Sequence, residues 1–293
     1  LEQGYMGFIL VLPWLIGFCI FKLYPFVSSL IYSFTDYDLF KGVQNVVGFQ
    51  NYIDAFTKPK NIKALQVTFT YAFMTVPLKL IFALFIAYIL NFRIKGVGLF
   101  RTAYYVPSIL GGSVAIAVLW KALFKNDGVV NTILAMLGFE SINFLADKQW
   151  ALFIICLLRV WQFGSAMVLF LAALKGVPED LYEAASIDGA TRGRQFMSIT
   201  IPLISPVIFY NLVTQLVQAF QEFNGPYIIT NGGPRNATTL ISLIVYNTAF
   251  KDYKVGMSSA MAWVMFVIVM VLTIIAFVSQ KKWVYYSDDD GRG

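Results

Sequence analysis

The chain has 293 residues, 58% hydrophobic and 13% charged, with a net charge of +6 and a mean hydropathy of +0.69. Soluble domains carry about 25% charged residues, so this is the composition of a polytopic membrane protein. Histidine is absent, which removes the commonest metal ligand and general base and every Ser-His or Cys-His arrangement.

Six apolar stretches follow in chain order, at roughly 6–31, 65–91, 104–124, 150–175, 203–224 and 258–280. A helix crosses a hydrocarbon core of about 30 Å with roughly 20 apolar residues. Inside that core each backbone polar group needs an internal partner. The runs therefore predict an all-α membrane protein, six transmembrane helices in a single domain over 1–293. Pro13, Pro77 and Pro206 fall inside spans as sites of kinks, and Cys19 and Cys156 are read as buried small hydrophobes. Leu1 is not an initiator residue, so a short N-terminal piece is expected ahead of it.

The cations are scattered among loops without the stripe that nucleic acid requires, and the surface they meet is expected to be lipid. The loop face that includes Arg93, Lys95, Arg101, Arg192 and Arg292 carries nine cations against ten on the other. The positive-inside rule is thus undecided by count. No GxxxxGK[ST] run exists, so any ATP must be used by another chain. No catalytic group, metal ligand set or cofactor is expected.

Between the fourth and fifth stretches, residues 176–202 read as an interrupted helical loop. Pro178 suits a first helical turn, and Glu179 and Asp180 set negative charge at its positive end. Gly189 can take the left-handed conformation that ends a helix, Thr191 can cap a second short helix, and Pro202 leads into the fifth span. The run Glu183-Ala184-Ala185, then Asp188-Gly189, Arg192 and Ile199 before Pro202 resembles the EAA loop of ABC importer permeases. So do Asp36-Tyr37, the run from Val47 to Tyr52, Phe100-Arg101-Thr102, Trp120, Gly128 with Asn131, and the run from Thr230 to Pro234. Together they are similar to carbohydrate importer permeases of the maltose and glycerol-3-phosphate type, and within that group to the first of two non-identical permeases.

The resemblance implies a type I importer fold with a cytoplasmic EAA coupling loop, in which Glu183, Ala184, Ala185, Asp188, Gly189 and Arg192 meet an ATPase. It also implies a heterodimer with a second permease, two ATP-binding subunits that hold the ATP and Mg, and an external sugar-binding protein. The setting would be the bacterial cytoplasmic membrane, with both termini cytoplasmic. The chain would be a transporter subunit and not an enzyme.

The fifth stretch carries Asn211, Gln215, Gln218 and Glu222 at spacings that share one helix face. Amides and a carboxylate supply the donors and acceptors that sugar hydroxyls need; they also serve as hydrogen-bonding glue between membrane helices. Arg159 in the fourth stretch either pairs with Glu222 or faces the pathway and attracts an anionic sugar or sugar-phosphate-like solute. Lys79 is expected to find an interhelical partner or a water cavity. Trp161 and Gln162 are further pathway candidates, Trp161 either stacking on a sugar ring or packing in the core. The rivals are a stand-alone secondary transporter, for which no inverted repeat is visible, and an intramembrane enzyme, for which only scattered carboxylates remain.

Overall fold

The computed structural model describes residues 2–43, 45–92 and 96–286, with side chains from Leu10 onward; Arg93, Lys95 and Arg292 lie outside the described residues. In chain order the helices are α1 (Glu2–Phe18), α2 (Tyr24–Ser33), α3 (Gln50–Thr57), α4 (Pro59–Asn91), α5 (Val97–Leu110), α6 (Val114–Leu123) and α7 (Val129–Met136). Then come α8 (Lys148–Trp161), α9 (Gly164–Lys175), α10 (Glu179–Ile187), α11 (Arg192–Gln195), α12 (Ile201–Phe220), α13 (Ile241–Phe250) and α14 (Val255–Gln280). Among the described residues there is no strand, only isolated bridges.

Four continuous helical stretches are long and apolar enough to cross a membrane: Leu10–Ser33, Pro59–Asn91, Arg192–Phe220 and Val255–Gln280. The third and fourth apolar stretches are not single helices. The first of these breaks between α5 and α6 with a bend of 104°, the second between α8 and α9 with a bend of 44°. The sharper break falls at Gly111-Gly112-Ser113, where Ser113 is extended and its hydroxyl accepts a hydrogen bond from Ala115 N to start a new helix. At the gentler break Ser108 of α5 replaces the lost helical bonds. Its Oγ donates to Gln162 O and accepts from Ser165 N, both at 3.0 Å.

Wide π turns at Cys19–Leu23 and Phe196–Thr200 each end two residues ahead of a proline, Pro25 and Pro202. A proline ring crowds the carbonyl four residues back, which is Phe21 or Ser198, and both lie within the wide turn. The extra residue in that turn makes room for the ring. Pro202 therefore does not separate a short helix from the fifth span: α11, the π turn and α12 form one 29-residue helix, Arg192–Phe220. Cys19, expected to be buried, is exposed, and Cys156 is buried; an apolar helix face turned to lipid needs no burial to accept a thiol.

The chain divides into two compact units. In the unit of residues 1–62 and 241–268, Phe26 packs on Trp263, whose indole N–H donates to Ser29 Oγ at 3.1 Å. Asn51 ties off the end of α2, its Nδ2 donating to Ser33 O and Thr35 O at 2.9 and 2.8 Å. A Cβ on Gly256 would collide with the Thr35 carbonyl. The region after Pro234 is not all loop, because α13 buries Ile241, Leu243 and Ile244.

In the unit of residues 63–240 and 269–293, Asn131 secures α7 by bonding Lys125 O and both backbone groups of Ile142. Phe209 of α12 packs on Phe277 and Trp283. Backbones of α5 and α9 touch at Gly164, where a Cβ would overlap Tyr104 O and lie 2.8 Å from Tyr105 Cα; small residues permit this approach in membranes. Gly164→Ala should therefore destabilise the protein by about 1–3 kcal/mol, the scale of core overpacking. Gly98→Ala, with nothing within 4 Å of its Cβ, should not. The two thermal midpoints in detergent provide the comparison.

Candidate coupling and solute sites

The loop that carries Glu183 to Arg192 is a braced hinge between two helices. Helix α10 starts after Pro178, one residue later than the proline suggested, with Glu179 and Asp180 in its first turn. It ends in a Schellman motif: Gly189 has φ +75°, Gly189 N donates to Ser186 O at 3.1 Å, and Ala190 N donates to Ala185 O at 2.9 Å. Thr191 Oγ1 then accepts from Arg194 N and opens the next helix.

Two side-chain contacts fasten α10 to that helix. The Tyr182 and Thr200 hydroxyls share a 2.7 Å hydrogen bond, and Gln195 Nε2 donates to Ser186 Oγ at 2.9 Å. Glu183, Ala184, Asp188, Gly189 and Arg192 are exposed, while Ala185 is half-buried. Leu181, Ile187 and Met197 add exposed apolar bulk, Ile187 at 87% exposure.

Asn211, Gln215 and Gln218 lie on α12, whereas Glu222 lies two residues beyond its end, where the chain has already left the helix. Asn211, Gln215 and Glu222 are buried, and Gln218 is exposed. Asn211 Nδ2 donates to Val207 O of its own helix at 3.0 Å. Gln215 Oε1 accepts from Lys79 Nζ of α4 at 2.8 Å. Glu222 meets Arg159 of α8, Oε2 lying 2.6 Å from Nε, while its Oε1 accepts from Gly225 N at 3.0 Å. Of the two arrangements open to Arg159, the pair with Glu222 is the one formed, so its charge is compensated. Gln162, buried, accepts from Arg159 Nη1 at 3.0 Å and lies against Gly111. Trp161 stacks at a tilt on Trp120, ring centroids 5.6 Å apart.

These groups surround a cavity of about 10 Å³ lined by Tyr71, Thr75, Val76, Lys79, Arg159, Gln215, Gln218 and Ala219. That volume admits one water at most, so the site is closed to a sugar in this conformation. Tyr71 and Thr75 were not singled out by sequence. Both are buried and line the cavity. Their signal was the four-residue step Tyr71, Thr75, Lys79 down an apolar helix. Among the described residues no cluster of metal-ligating side chains occurs.

Residues 55–283 match the family described as the binding-protein-dependent transport system inner membrane component. The chain belongs to that family. It is a multi-pass transport subunit of the cytoplasmic membrane and not an enzyme. It is 46% identical to the probable ABC transporter permease protein YesP of Bacillus subtilis over 99% of this chain and 94% of that one. It is 34% identical to the trehalose/maltose transport system permease protein MalF of Thermococcus litoralis, over 94% and 93% respectively. The permease fold also matches, with a TM-score of 0.83 over 96% of each chain and 22% identity, a crystal structure of a bacterial alginate ABC transporter in complex with an alginate pentasaccharide-bound periplasmic protein. At that identity the likeness carries the fold alone.

Within the permease the Arg159–Glu222 pair makes a stability prediction. Breaking a buried pair strands a charge at a cost of about 3–5 kcal/mol, whereas replacing both partners with apolar groups is often neutral. Glu222→Leu alone should lower the thermal midpoint sharply, and the Arg159→Met/Glu222→Leu double variant should recover most of the loss.

Proposed function

We propose that this chain is the permease subunit of an ATP-driven importer for a sugar, an oligosaccharide, working by alternating access. It would act as a heterodimer with a second permease on two ATP-binding subunits, which hold ATP and Mg. An external sugar-binding protein delivers the solute, and both termini lie in the cytoplasm. The Thermococcus litoralis relative, a trehalose/maltose transport system permease, supports the choice of sugar.

One observation carries the coupling reading. Residues Glu183 to Arg192 are braced through Tyr182–Thr200 and Ser186–Gln195 onto a helix that continues unbroken to Phe220. From Arg192 to Gln218 that helix extends about 40 Å at 1.5 Å per residue. Exposed Leu181, Ile187 and Met197 give an ATPase cleft apolar surface to grip, and Ala184 permits close approach. A push on α10 is then transmitted along the axis of α12 to Gln215, Gln218 and Glu222. The closed cavity supports alternating access, because α4 and α12 must separate before a sugar fits between them.

Reconstitution tests this reading. The chain alone in liposomes should take up no sugar, while the complete complex with binding protein should do so only with ATP. A Cys placed at 218 should change its reactivity with a soluble maleimide between the ATP-free and ATP-trapped states, and cross-linking α10 to the ATPase should abolish that change. Uptake by the chain alone would favour a secondary transporter instead.

A further inference from the structure

The cations of the 63–240 and 269–293 unit are distributed in a way that import of a neutral sugar does not use. At the inner cavity two cations, Lys79 and Arg159, share one carboxylate, Glu222. Arg159 holds that carboxylate at 2.6 Å, whereas Lys79, 5% exposed, donates to the neutral amide of Gln215. A buried ammonium that bonds a neutral amide, while the neighbouring carboxylate is held by another cation, is costly inside an apolar bundle and marks a place where an opposite charge arrives. Beside it the buried Tyr71 and Thr75 hydroxyls line the same cavity and offer further donors.

A second cavity, of about 470 Å³, lies at the other end of the same helix row. Lys63, Gln66, Val67 and Thr70 of α4 line it with Lys148, Leu152, Arg235 and Ala237. Three cations and no acid share this wall. Lys148 is the first residue of α8, where the helix dipole disfavours a cation and favours an anion. The volume falls within the range of small-molecule sites. Lys63, Val67, Tyr71, Thr75 and Lys79 follow at steps of four along α4, so one ridge of the helix leads from the outer cavity to the inner one. The C-terminal end of α4, Asn91, lines a pocket with Glu179 and Tyr182 of the coupling loop. The three-cation cavity is therefore at the far end of α4 from that loop.

We propose that the solute is an acidic saccharide, whose carboxylates are gathered by Lys63, Lys148 and Arg235 and then bound by Lys79 at the inner site. The proposal rests on the importer reading above and adds the chemical class of the solute. It also moves the anion-binding role from Arg159, which Glu222 neutralises, to Lys79. Uronic acids satisfy the geometry, since each residue pairs a carboxylate for the cations with hydroxyls for Tyr71, Thr75 and Gln218.

The test uses the complete complex with its binding protein in phosphatidylcholine proteoliposomes. ATP-dependent uptake is measured for trimers of galacturonate and mannuronate, for their methyl esters, which lack the charge, and for maltotriose. At least one acid should be taken up about tenfold or more faster than its ester, the scale set by a desolvated charge pair. Lys79→Gln should lower that acid-to-ester ratio by about tenfold. A Lys148→Cys variant should be shielded from a soluble maleimide by the same acid.

Uptake of maltotriose or an ester without preference for an acid overturns the proposal and leaves the importer reading standing. Equal loss of acid and ester uptake in Lys79→Gln also overturns it, since that is the result expected if Lys79 serves only the packing of the complex. Shielding of residue 148 that requires phosphatidylglycerol, and not the saccharide, overturns the outer site in favour of a lipid headgroup. No ATP-dependent uptake of any of these saccharides by the assembled complex would count against the importer reading itself.

Discussion

An arginine inside an apolar bundle is stranded at a cost of several kcal/mol unless it is paired, and the contacts among α8, α9 and α12 show how Arg159 meets that demand. Its Nε takes Glu222 at the end of α12, and its Nη1 takes the Gln162 amide at the break between α8 and α9. The Gln162 carbonyl in turn accepts from Ser108, whose oxygen accepts from Ser165 N. One charge thus anchors a chain of bonds that repairs the broken backbone. The other Glu222 oxygen receives Gly225 N, where the chain leaves α12 for the wide turn Pro226–Thr230. An isolated Arg or Glu here would cost several kcal/mol; as a pair they fix where three helices end or bend.

Sequence reads such a protein well where one residue decides one local outcome. Gly189 marks a helix end because glycine adopts a left-handed turn without strain, and it has φ +75°. Thr191 reads as a cap because its hydroxyl can accept a free N–H, and it accepts from Arg194 N. Long apolar runs are equally plain. What escaped was decided by more than composition. Gly111-Gly112-Ser113 barely alters the hydropathy of 104–124, yet the extended Ser113 starts a new helix there. Pro202 signalled a boundary, but a π turn one residue wider than normal let the helix run through it.

The polar row of α12 shows the same limit in another form. Positions 211, 215, 218 and 222 share a face in projection, but the buried set is Asn211, Gln215 and Glu222, with Gln218 exposed. A helix row at steps of three and four drifts around its axis. Which member falls on the rim depends on the neighbours: Lys79 draws Gln215 inward at one level and Arg159 draws Glu222 inward seven residues further on, just past the end of the helix. No pattern within α12 contains that information, because the deciding charges are on α4 and α8.

Those two inward contacts also determine what the helix can transmit. A helix is stiff along its axis, so on the proposed coupling reading a displacement of α10 would reach Gln215 little diminished if the hinge holds. The hinge is held by Tyr182–Thr200 and Gln195–Ser186 rather than by Gly189 alone; the glycine supplies the angle and the side chains supply the rigidity. At the far end α12 is not free to slide. Lys79 holds it to α4 through a single hydrogen bond to a neutral amide, whereas Arg159 holds it to α8 through an ion pair. A hydrogen bond to a charged group is worth about 1.5–3 kcal/mol net, and breaking the buried ion pair costs more. Under load the α4–α12 seam should therefore part before the α8–α12 seam, with α8 and α12 moving together. The first groups freed by such a parting are the Lys79 ammonium and the Gln215 carbonyl oxygen, a donor and an acceptor that line the closed cavity. The weaker of the two bonds that hold α12 is thus the one whose rupture frees a polar donor and acceptor at the cavity, as the proposed alternating access requires.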